Sequence, residues 1–177
     1  MKKRYALTLA AAMLGGAQLH AADGWHRIKA LEDGDTLVVS ANGEDLRIQL
    51  LGIDAPEDTV NPKLERDLQR TGLEAESLLS LGTQSTTHLQ QLVGAGEIRM
   101  QGDLGARDRY GRVPMVVLNK EGRSLNDAML EDGYAMVAGR TSAAASNIQR
   151  WQQMEQSAVS EKRGIWGDEA AIRWRGK

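Results

Sequence analysis

The amino-acid sequence predicts an α+β fold in which short strands form a small closed barrel and helices pack against it. Short β-rich runs fill residues 25–60 and return later in the chain, so strands precede and interrupt the helices and do not alternate with them regularly. Residues 73–93 and 143–163 instead repeat their apolar positions at the spacing of amphipathic helices. The sequence shows no internal repeat and no low-complexity linker, so one domain accounts for both kinds of segment.

The N-terminal segment is predicted to be a signal peptide and not part of the fold. Residues 2–4 are basic, residues 5–14 form an apolar run too short to span a bilayer comfortably, and small residues offer a cleavage point after Ala21. We therefore expect residues 1–21 to be removed and residues 22–177 to form a single domain that is periplasmic or secreted. An uncleaved signal anchor is the alternative.

Composition and charge narrow the class of protein. The chain has no cysteine, which excludes a disulfide framework, thiolate chemistry and a cysteine zinc cluster, and suits an oxidising compartment. The formal net charge is −2, and the leader carries three positive and no negative side chains, which leaves −5 for the predicted domain. Such a domain is not a tight, sequence-blind coat for nucleic acid, because that function needs a basic surface. An enzyme that meets its substrate briefly at a metal site is compatible with this charge.

The first part of the domain is predicted to form strands. Three β-rich runs are residues 25–31, 36–39 and 46–51. Asn42-Gly43 is a strong signal for a two-residue hairpin between the second and third runs. Alternation divides the third run into two faces, with Leu46, Ile48 and Leu50 on one and Arg47, Gln49 and Leu51 on the other. Pro56 stops this strand region.

The rest of the domain is predicted to form a loop, three helices and two further strands. Residues 58–71 are polar and contain Asn61-Pro62, which indicates a loop with some helical character. The expected helices are residues 73–93, a short segment that begins at Ser124 and ends at Gly133, and residues 143–163. The expected strands are residues 97–100 and 113–118, and the expected ends of the fold are Gly164-Ile165-Trp166 as a closing segment and residues 173–177 as a loose tail.

Three acidic residues could hold a metal and polarise water. Asp35 lies at the mouth of one predicted strand, and Asp54 follows the strand that pairs with it through the hairpin, so the two carboxylates can meet in space. Hard divalent cations require several oxygen ligands, and carboxylates supply both oxygen and charge. Glu57 follows the turn at Pro56 and could accept a proton from water. Each acid alone has an ordinary explanation in a turn or a strand end, but their order around a hairpin favours a site that cleaves phosphodiesters.

Arg112 is the candidate phosphate-binding residue. A guanidinium matches a phosphate edge with two hydrogen bonds and stabilises charge that builds up in a transition state. Arg112 stands just before a strand, directly after Tyr110-Gly111. A surface loop arginine is the alternative, and it is the preferred interpretation for Arg107 and Arg109. Tyr110 could stack on a base at the edge of the site or pack against the protein.

These residues resemble the staphylococcal nuclease (thermonuclease) family over nearly the whole predicted domain. The segments that carry the resemblance are Asp33-Gly34-Asp35-Thr36, residues 47–57 with Gly52-Ile53-Asp54-Ala55-Pro56-Glu57, Asp108-Arg109-Tyr110-Gly111-Arg112, Leu125-Asn126 with Asp132-Gly133-Tyr134-Ala135, and Gly164-Ile165-Trp166. The combination is highly specific, although any one piece would be weak. The resemblance implies a five-stranded OB-type β-barrel with three packed helices. It also implies calcium-dependent endonucleolytic hydrolysis of DNA and RNA, with single strands favoured and 3′-phosphate ends left.

The resemblance also implies roles for individual residues. Asp35 and Asp54 would be calcium ligands, helped by the backbone carbonyl of Ala55. Glu57 would orient or deprotonate the attacking water, and Arg112 would contact the scissile phosphate and assist the leaving oxygen. The expected partners are Ca²⁺ and a DNA or RNA substrate, with no stable protein partner, no membrane after signal cleavage, and a monomeric state.

The chain departs from the family pattern in three ways. The family's second phosphate-binding arginine falls here on Gln49, which is neutral and offers only the hydrogen bonds of an amide. Arg47, on the same strand face and roughly 7 Å away, is the candidate substitute. Gly139 and Thr141 stand where well-studied members place tyrosines against the substrate base. The 58–71 segment is longer, and its charged residues could reshape the cleft.

Three functions fit the sequence. The leading hypothesis is a periplasmic or secreted calcium-dependent endonuclease with activity reduced by Gln49. A catalytically impaired OB-fold module that binds nucleic acid or protein is the second, and a phosphodiesterase acting on a small nucleotide is the third. The set Asp35, Asp54, Glu57 and Arg112 favours an enzyme, because a binding module has no need of all four. Gln49 and the absent tyrosines favour the module.

Overall fold

The computed structural model describes residues 22–41 and 43–176. Within these residues the strands are β1 (Ala22–Leu31), β2 (Thr36–Ala41), β3 (Glu44–Leu50), β4 (Ile53–Asp54), β5 (Glu97–Gln101), β6 (Val113–Leu118) and β7 (Met136–Val137). The predicted signal peptide, and Asn42 of the hairpin signal, lie outside the described residues.

Five of these strands close a barrel in the order β1–β2–β3–β6–β5, which confirms the predicted α+β class and the five-stranded barrel. Neighbouring strands are antiparallel except for β3 and β6, which run parallel. On β3, Ile48 and Leu50 are buried while Arg47 is exposed and Gln49 is half-buried. The two faces that alternation assigned to this strand are therefore the interior and the exterior of the barrel.

The helices of the described residues are α1 (Pro62–Thr71), α2 (Ala75–Val93), α3 (Leu125–Glu131), α4 (Ala145–Ser160) and α5 (Glu169–Arg175), with a short 3₁₀ helix at Gly164–Gly167. The three predicted helices are α2, α3 and α4, and α1 and α5 are additional. In the described part of the chain, none of the helices combines the length and the apolar character that crossing a membrane requires.

Helix α1 occupies most of the 58–71 segment, which was expected to be a loop with some helical character. The Asn61 side chain accepts hydrogen bonds from the backbone N–H groups of Lys63 (2.9 Å) and Leu64 (3.0 Å). Pro62 follows in the first turn, where its missing N–H costs nothing. The Asn-Pro dipeptide therefore starts a helix here, because its asparagine is an N-cap.

Helix α5 occupies most of the segment that was expected to be a loose tail. Trp174 is fully buried, and its indole N–H donates to the Asp67 carboxylate of α1 at 3.1 Å. The rings of Trp166 and Trp174 stack with centroids 6.2 Å apart. A helix this short would be only marginally stable alone. Burial of the Trp174 indole stabilises it in the folded protein.

The apolar core has two parts, one inside the barrel and one among the helices. The barrel part includes Leu37, Ile48, Leu50, Ile98, Met100, Met115 and Val117. The helical part includes Leu64, Leu78, Leu81, Ala158, Ile165, Trp166, Ala171 and Trp174. Because Leu64 belongs to the helical part, the start of α1 is packed against the other helices.

Several strand ends meet at one end of the barrel. Thr36, the first residue of β2, pairs with Gln49 on β3, and Gln49 in turn pairs with Pro114 on β6. Asp54 on β4 pairs with Met136 on β7 in a separate two-stranded ladder. The residues that the sequence marks as a candidate site lie at this end.

Candidate active site

Asp35 connects the two segments that carry the candidate metal ligands. Its side chain is almost fully buried. One carboxylate oxygen accepts a hydrogen bond from the backbone N–H of Ala55 at 3.0 Å, and the other accepts from the Thr36 hydroxyl at 2.8 Å. The Ala55 contact brings Asp35 beside Asp54, so the two carboxylates meet as the hairpin argument predicted.

Two glycines allow the site segments to approach helix α2 closely. A Cβ at Gly34 would lie 2.7 Å from the Cβ of Ser85 on α2. A Cβ at Gly82 of α2 would lie 2.1 Å from the carbonyl oxygen of Glu57. Neither position has space for a side chain, so the Asp35 turn and Glu57 both rest directly on α2.

Two carboxyl groups in the site have raised pKa values. Burial raises the pKa of Asp54 to about 6, with the charge of Lys63 opposing the shift and the charge of Asp35 adding to it. Burial and the charge of Asp35 also raise the pKa of Asp33 to about 9. Both carboxyl groups are thus less acidic than usual, because burial removes them from water and the neighbouring carboxylate of Asp35 disfavours a further negative charge. Such a site attracts cations.

The cation at the centre of this cluster is Lys63, in the first turn of α1. Its ammonium nitrogen lies 3.0 Å from Asp54 Oδ1, 2.6 Å from Glu57 Oε1 and 2.7 Å from the carbonyl oxygen of Ala55. Burial opposes the charged form of Lys63, but the charges of Asp54, Asp35 and Glu57 outweigh burial and raise the pKa of Lys63 above its usual value. Lys63 is therefore a constant positive charge in the site.

Glu57 is buried, and both of its carboxylate oxygens have partners from the start of α1. Oε1 pairs with the Lys63 ammonium, and Oε2 accepts a hydrogen bond from the side-chain amide of Asn61. Asn61 therefore caps α1 with its oxygen and holds Glu57 with its nitrogen. The carboxylate of Glu57 has a fixed orientation next to Asp54.

Arg112 is anchored just before β6 by Asp108. Its Nε donates to Asp108 Oδ2 at 2.8 Å, and its backbone N–H donates to Asp108 Oδ1 at 2.9 Å. Although burial opposes the effect, these hydrogen bonds keep the pKa of Asp108 below its usual value. Nη1 of Arg112 donates to the Thr36 hydroxyl at 3.0 Å and lies 3.7 Å from Asp35 Oδ1. Arg112 therefore stands beside the carboxylate cluster in one defined orientation.

Gln49 lies in the site, whereas Arg47 is engaged by another residue. The Gln49 amide oxygen lies 3.4 Å from the Thr36 hydroxyl, which donates its hydrogen to the nearer Asp35, and the Gln49 NH₂ group donates to the carbonyl oxygen of Ile53 at 3.4 Å. The guanidinium of Arg47 forms an ion pair with Glu32, with Nε 2.8 Å and 2.9 Å from the two carboxylate oxygens. The candidate substitute for the missing arginine is thus committed to Glu32 in this structure.

Tyr110 stands at the edge of the site among arginines. About half of its surface is exposed. The guanidinium groups of Arg109 and Arg112 lie over its ring, 4.7 Å and 5.3 Å from the centroid, and its hydroxyl accepts a hydrogen bond from Arg66 of α1 at 3.5 Å. An exposed aromatic ring and three positive charges therefore border an otherwise acidic centre.

A cleft with a volume of about 820 Å³ lies between β7 and α4. Its lining includes Gly139, Arg140 and Thr141 on one side and Gln152 on the other. Among the described residues that line it, none is aromatic. Met136, which also lines the cleft, pairs with Asp54 across the β4–β7 ladder, but none of Asp35, Asp54, Glu57 and Arg112 lines the cleft itself.

The donor chemistry of the site fits a hard divalent cation. Oxygens of Asp54 and Ala55 converge on a single point, the nitrogen of Lys63, and Asp35 is hydrogen-bonded to the same segment. Carboxylate and carbonyl oxygens are the ligands that Ca²⁺ prefers. Among residues 22–41 and 43–176, no three His, Cys, Asp or Glu side chains are grouped as metal ligands. A cation at this point would therefore need backbone, water or substrate oxygens in addition to carboxylates.

Sequence reasoning missed the contributions of Lys63 and Asn61. The available signal was the combination of an N-cap residue and a proline at the first helical position, which predicts a helix that starts at Pro62. A helix that starts there places Lys63 in its first turn, close to the preceding Glu57. Asp108, which orients Arg112, belongs to the motif that the sequence marked, but its role appears only in the structure.

Asn126 from the resembling motif has a structural role. It is fully buried and donates hydrogen bonds to the carbonyl oxygens of Leu51 (2.9 Å) and Met115 (3.1 Å). Its own side-chain oxygen accepts from the backbone N–H of Val117 at 2.9 Å. Asn126 thus fastens α3 to the barrel strands that carry the site.

The fold and the site together define an α+β barrel protein with a cluster of carboxylates flanked by an arginine. A family model described as "Staphylococcal nuclease homologue" matches residues 47–168, more than half of the chain. The matched region contains Asp54, Glu57 and Arg112, and Asp35 lies upstream of it. The chain therefore belongs to the staphylococcal nuclease homologue family.

Several proteins similar to this chain are bacterial nucleases. The SPbeta prophage-derived endonuclease YokF of Bacillus subtilis (strain 168) is 30% identical over 145 residues, which cover 81% of this chain and 44% of the relative. Endonuclease YncB of the same organism is 28% identical over 145 residues, covering 81% and 62%. The thermonuclease of Staphylococcus hyicus is 28% identical over 147 residues, covering 81% and 76%. The chain thus spans less than two thirds of the length of the two Bacillus endonucleases.

Proposed function

We propose that this chain is a calcium-dependent endonuclease that hydrolyses phosphodiester bonds of DNA and RNA. The observation that carries the proposal is the gathering of Asp35, Asp54, Glu57 and Arg112 at one end of the barrel. Membership of the staphylococcal nuclease homologue family supports it independently.

Each residue has a separate task in this proposal. The carboxylates of Asp35 and Asp54 and the carbonyl oxygen of Ala55 would hold the metal ion. Calcium, when bound, would supply positive charge that polarises the phosphate. Glu57 orients a water molecule and accepts its proton. Arg112 donates hydrogen bonds to the phosphate and stabilises the charge that develops on its oxygens.

The surroundings of Tyr110 support a single-stranded substrate. An exposed ring can stack on a base, which only a single strand offers freely. Arg66 and Arg109 lie next to this ring and offer positive charge to the phosphate backbone of the substrate. Because the chain is acidic overall, this local positive charge would bind the substrate only transiently.

The proposal includes the location of the protein. Residues 1–21 would direct export, and the remaining domain would act as a monomer in the periplasm or outside the cell. Mass determination of the exported protein tests this directly, because cleavage after Ala21 predicts a chain that begins at Ala22.

Calcium dependence is the first test. Cleavage of a labelled single-stranded oligonucleotide should require added calcium and stop when a chelator is present. In calorimetry, Asp35→Asn should weaken calcium binding by about tenfold or more, because a neutral amide replaces one of few charged ligands. Asp45→Asn, which removes a carboxylate on the surface beside Lys29, is the matched control. Cleavage that continues in chelator would contradict the metal requirement.

The second test concerns Gln49. A missing preorganised donor to a developing oxyanion costs about 3–4 kcal/mol, which is a hundred-fold or more in rate. Gln49→Arg should therefore raise the rate of cleavage by about tenfold or more, with calcium dependence unchanged. Arg47→Ala is the control and should have little effect, because its guanidinium pairs with Glu32. A complete loss of activity in Arg47→Ala would show that Arg47 leaves Glu32 and serves the phosphate.

A catalytically impaired module that binds nucleic acid is the second candidate function. One observation favours it: each oxygen of Glu57 already has a partner, Lys63 or Asn61, which leaves only the second lone pair of each oxygen for a proton from water. Binding of single-stranded DNA without cleavage, at any calcium concentration, would favour this function over the nuclease.

A further inference from the structure

Lys63 takes the place at which the proposed metal ligands converge. Its ammonium nitrogen is 2.7 Å from the Ala55 carbonyl oxygen and 3.0 Å from Asp54 Oδ1, and these are two of the three oxygen donors assigned to calcium. Its third contact, at 2.6 Å, is to Glu57, the assigned base. One ammonium group thus engages two metal ligands and the base.

The backbone of Lys63 is fixed in the fold. Leu64, the next residue, is buried in the helical part of the core. Further along α1, Arg70 donates to the carbonyl oxygen of Trp174 at 2.8 Å, and Asp67 accepts from the Trp174 indole at 3.1 Å. Helix α1 is therefore bound to α5 and cannot leave the site as a lid would. Only the side chain of Lys63 can vacate the cation position.

We propose that Lys63 is an internal competitor for the divalent metal ion, an inference that rests on the proposed function. In the metal-free protein its ammonium neutralises the carboxylates, and it must leave Asp54 and the Ala55 carbonyl before a metal ion can bind them. Two cations cannot share these oxygens, because their mutual repulsion in a half-buried site is large. The lysine side chain has a flexible four-carbon stem and is 30% exposed, so the ammonium can move from the carboxylates towards solvent.

The competition has a measurable consequence for affinity. Metal binding must overcome the loss of the ammonium contacts with Asp54, Glu57 and the Ala55 carbonyl, which solvation of the released ammonium offsets only in part. A neutral side chain of similar length removes this competitor and leaves the oxygen donors in place. Lys63 thereby sets the calcium concentration at which the site is filled, and its removal makes the site tighter.

The experiment is calorimetric titration of the full domain with calcium chloride at alkaline pH, where the carboxylates are ionised. Lys63→Met should bind calcium about tenfold more tightly or better, equivalent to about 1.4 kcal/mol. Lys120→Met is the matched control: it removes a lysine that pairs with Glu97 on the surface, and it should bind as the parent does. Lys63→Gln should match Lys63→Met, and it keeps the test available if methionine disturbs folding.

A second measurement uses the unmodified protein. The side-chain ¹⁵N resonance of Lys63, held by three oxygens, should move towards that of a solvated lysine when calcium is added. Lys63→Met that binds calcium no more tightly than the parent, together with a lysine resonance that calcium leaves unchanged, would overturn the inference while leaving calcium-dependent cleavage intact. Failure of every form to bind a divalent ion would instead overturn the metal requirement of the proposed function, and the inference with it.

Discussion

Replacing Glu57 by glutamine should reduce the rate of cleavage by about 10²–10⁴-fold, because an amide cannot accept the proton that a general base takes from water. Glutamine has nearly the same shape as glutamate, so the segment above Gly82 should keep its position. The rate should be measured with a labelled single-stranded oligonucleotide at saturating calcium. Binding of the same oligonucleotide, measured in chelator, should change by no more than a few-fold.

Glu57 also accepts a hydrogen bond from Asn61, so a control must separate this bond from catalysis. Asn61→Ser removes the bond, because serine is too short to reach Glu57, yet serine remains a good N-cap for α1. We expect Asn61→Ser to cleave within a few-fold of the parent. An equal fall in both variants would mean that Glu57 acts by positioning α1 and not by accepting a proton.

Replacing Arg112 by lysine should reduce the rate by about 10²-fold or more, or roughly 2.7 kcal/mol of transition-state stabilisation. Lysine retains the charge but loses the planar pair of donors that matches a phosphate edge. It also loses the Nε–H group that donates a hydrogen bond to Asp108 at 2.8 Å, so the remaining charge has no fixed orientation. The loss should appear in kcat, because the interaction strengthens as charge develops on the phosphate.

Arg109→Lys is the matched control for this prediction. Arg109 lies three residues away in the same loop and contacts the ring of Tyr110, 4.7 Å from the centroid. Its replacement should change KM modestly and leave kcat within a few-fold. Comparable losses of kcat in both variants would indicate that the loop as a whole, and not the Arg112 guanidinium, supports catalysis.

Local sequence signals predicted most of the architecture and the acidic part of the site. Alternation along β3 set which side chains face the barrel interior, because side chains of a strand point to opposite faces in turn. The hairpin between β2 and β3 brought Asp35 close to Asp54, because pairing fixes which strand ends are neighbours. These inferences succeeded because each depends on residues that are close in sequence or joined by one turn.

The two helices that the sequence did not predict show where local signals are ambiguous. Asn61-Pro62 is compatible with a loop or with the capped start of a helix. The difference was decided by the burial of Leu64 in a core that also contains Trp174, more than a hundred residues further along the chain. The same core converts the expected loose tail into α5.

The sequence by itself determined the α+β class, the barrel strands and the set of chemical groups available for catalysis, because residue type and short-range periodicity encode these directly. The tertiary structure decided how those groups are paired. It directed the ammonium of Lys63 to Asp54 and Glu57, the guanidinium of Arg112 to Asp108, and that of Arg47 to Glu32. Long charged side chains have many rotamers, and which carboxylate each one reaches depends on the distances between elements that packing alone establishes.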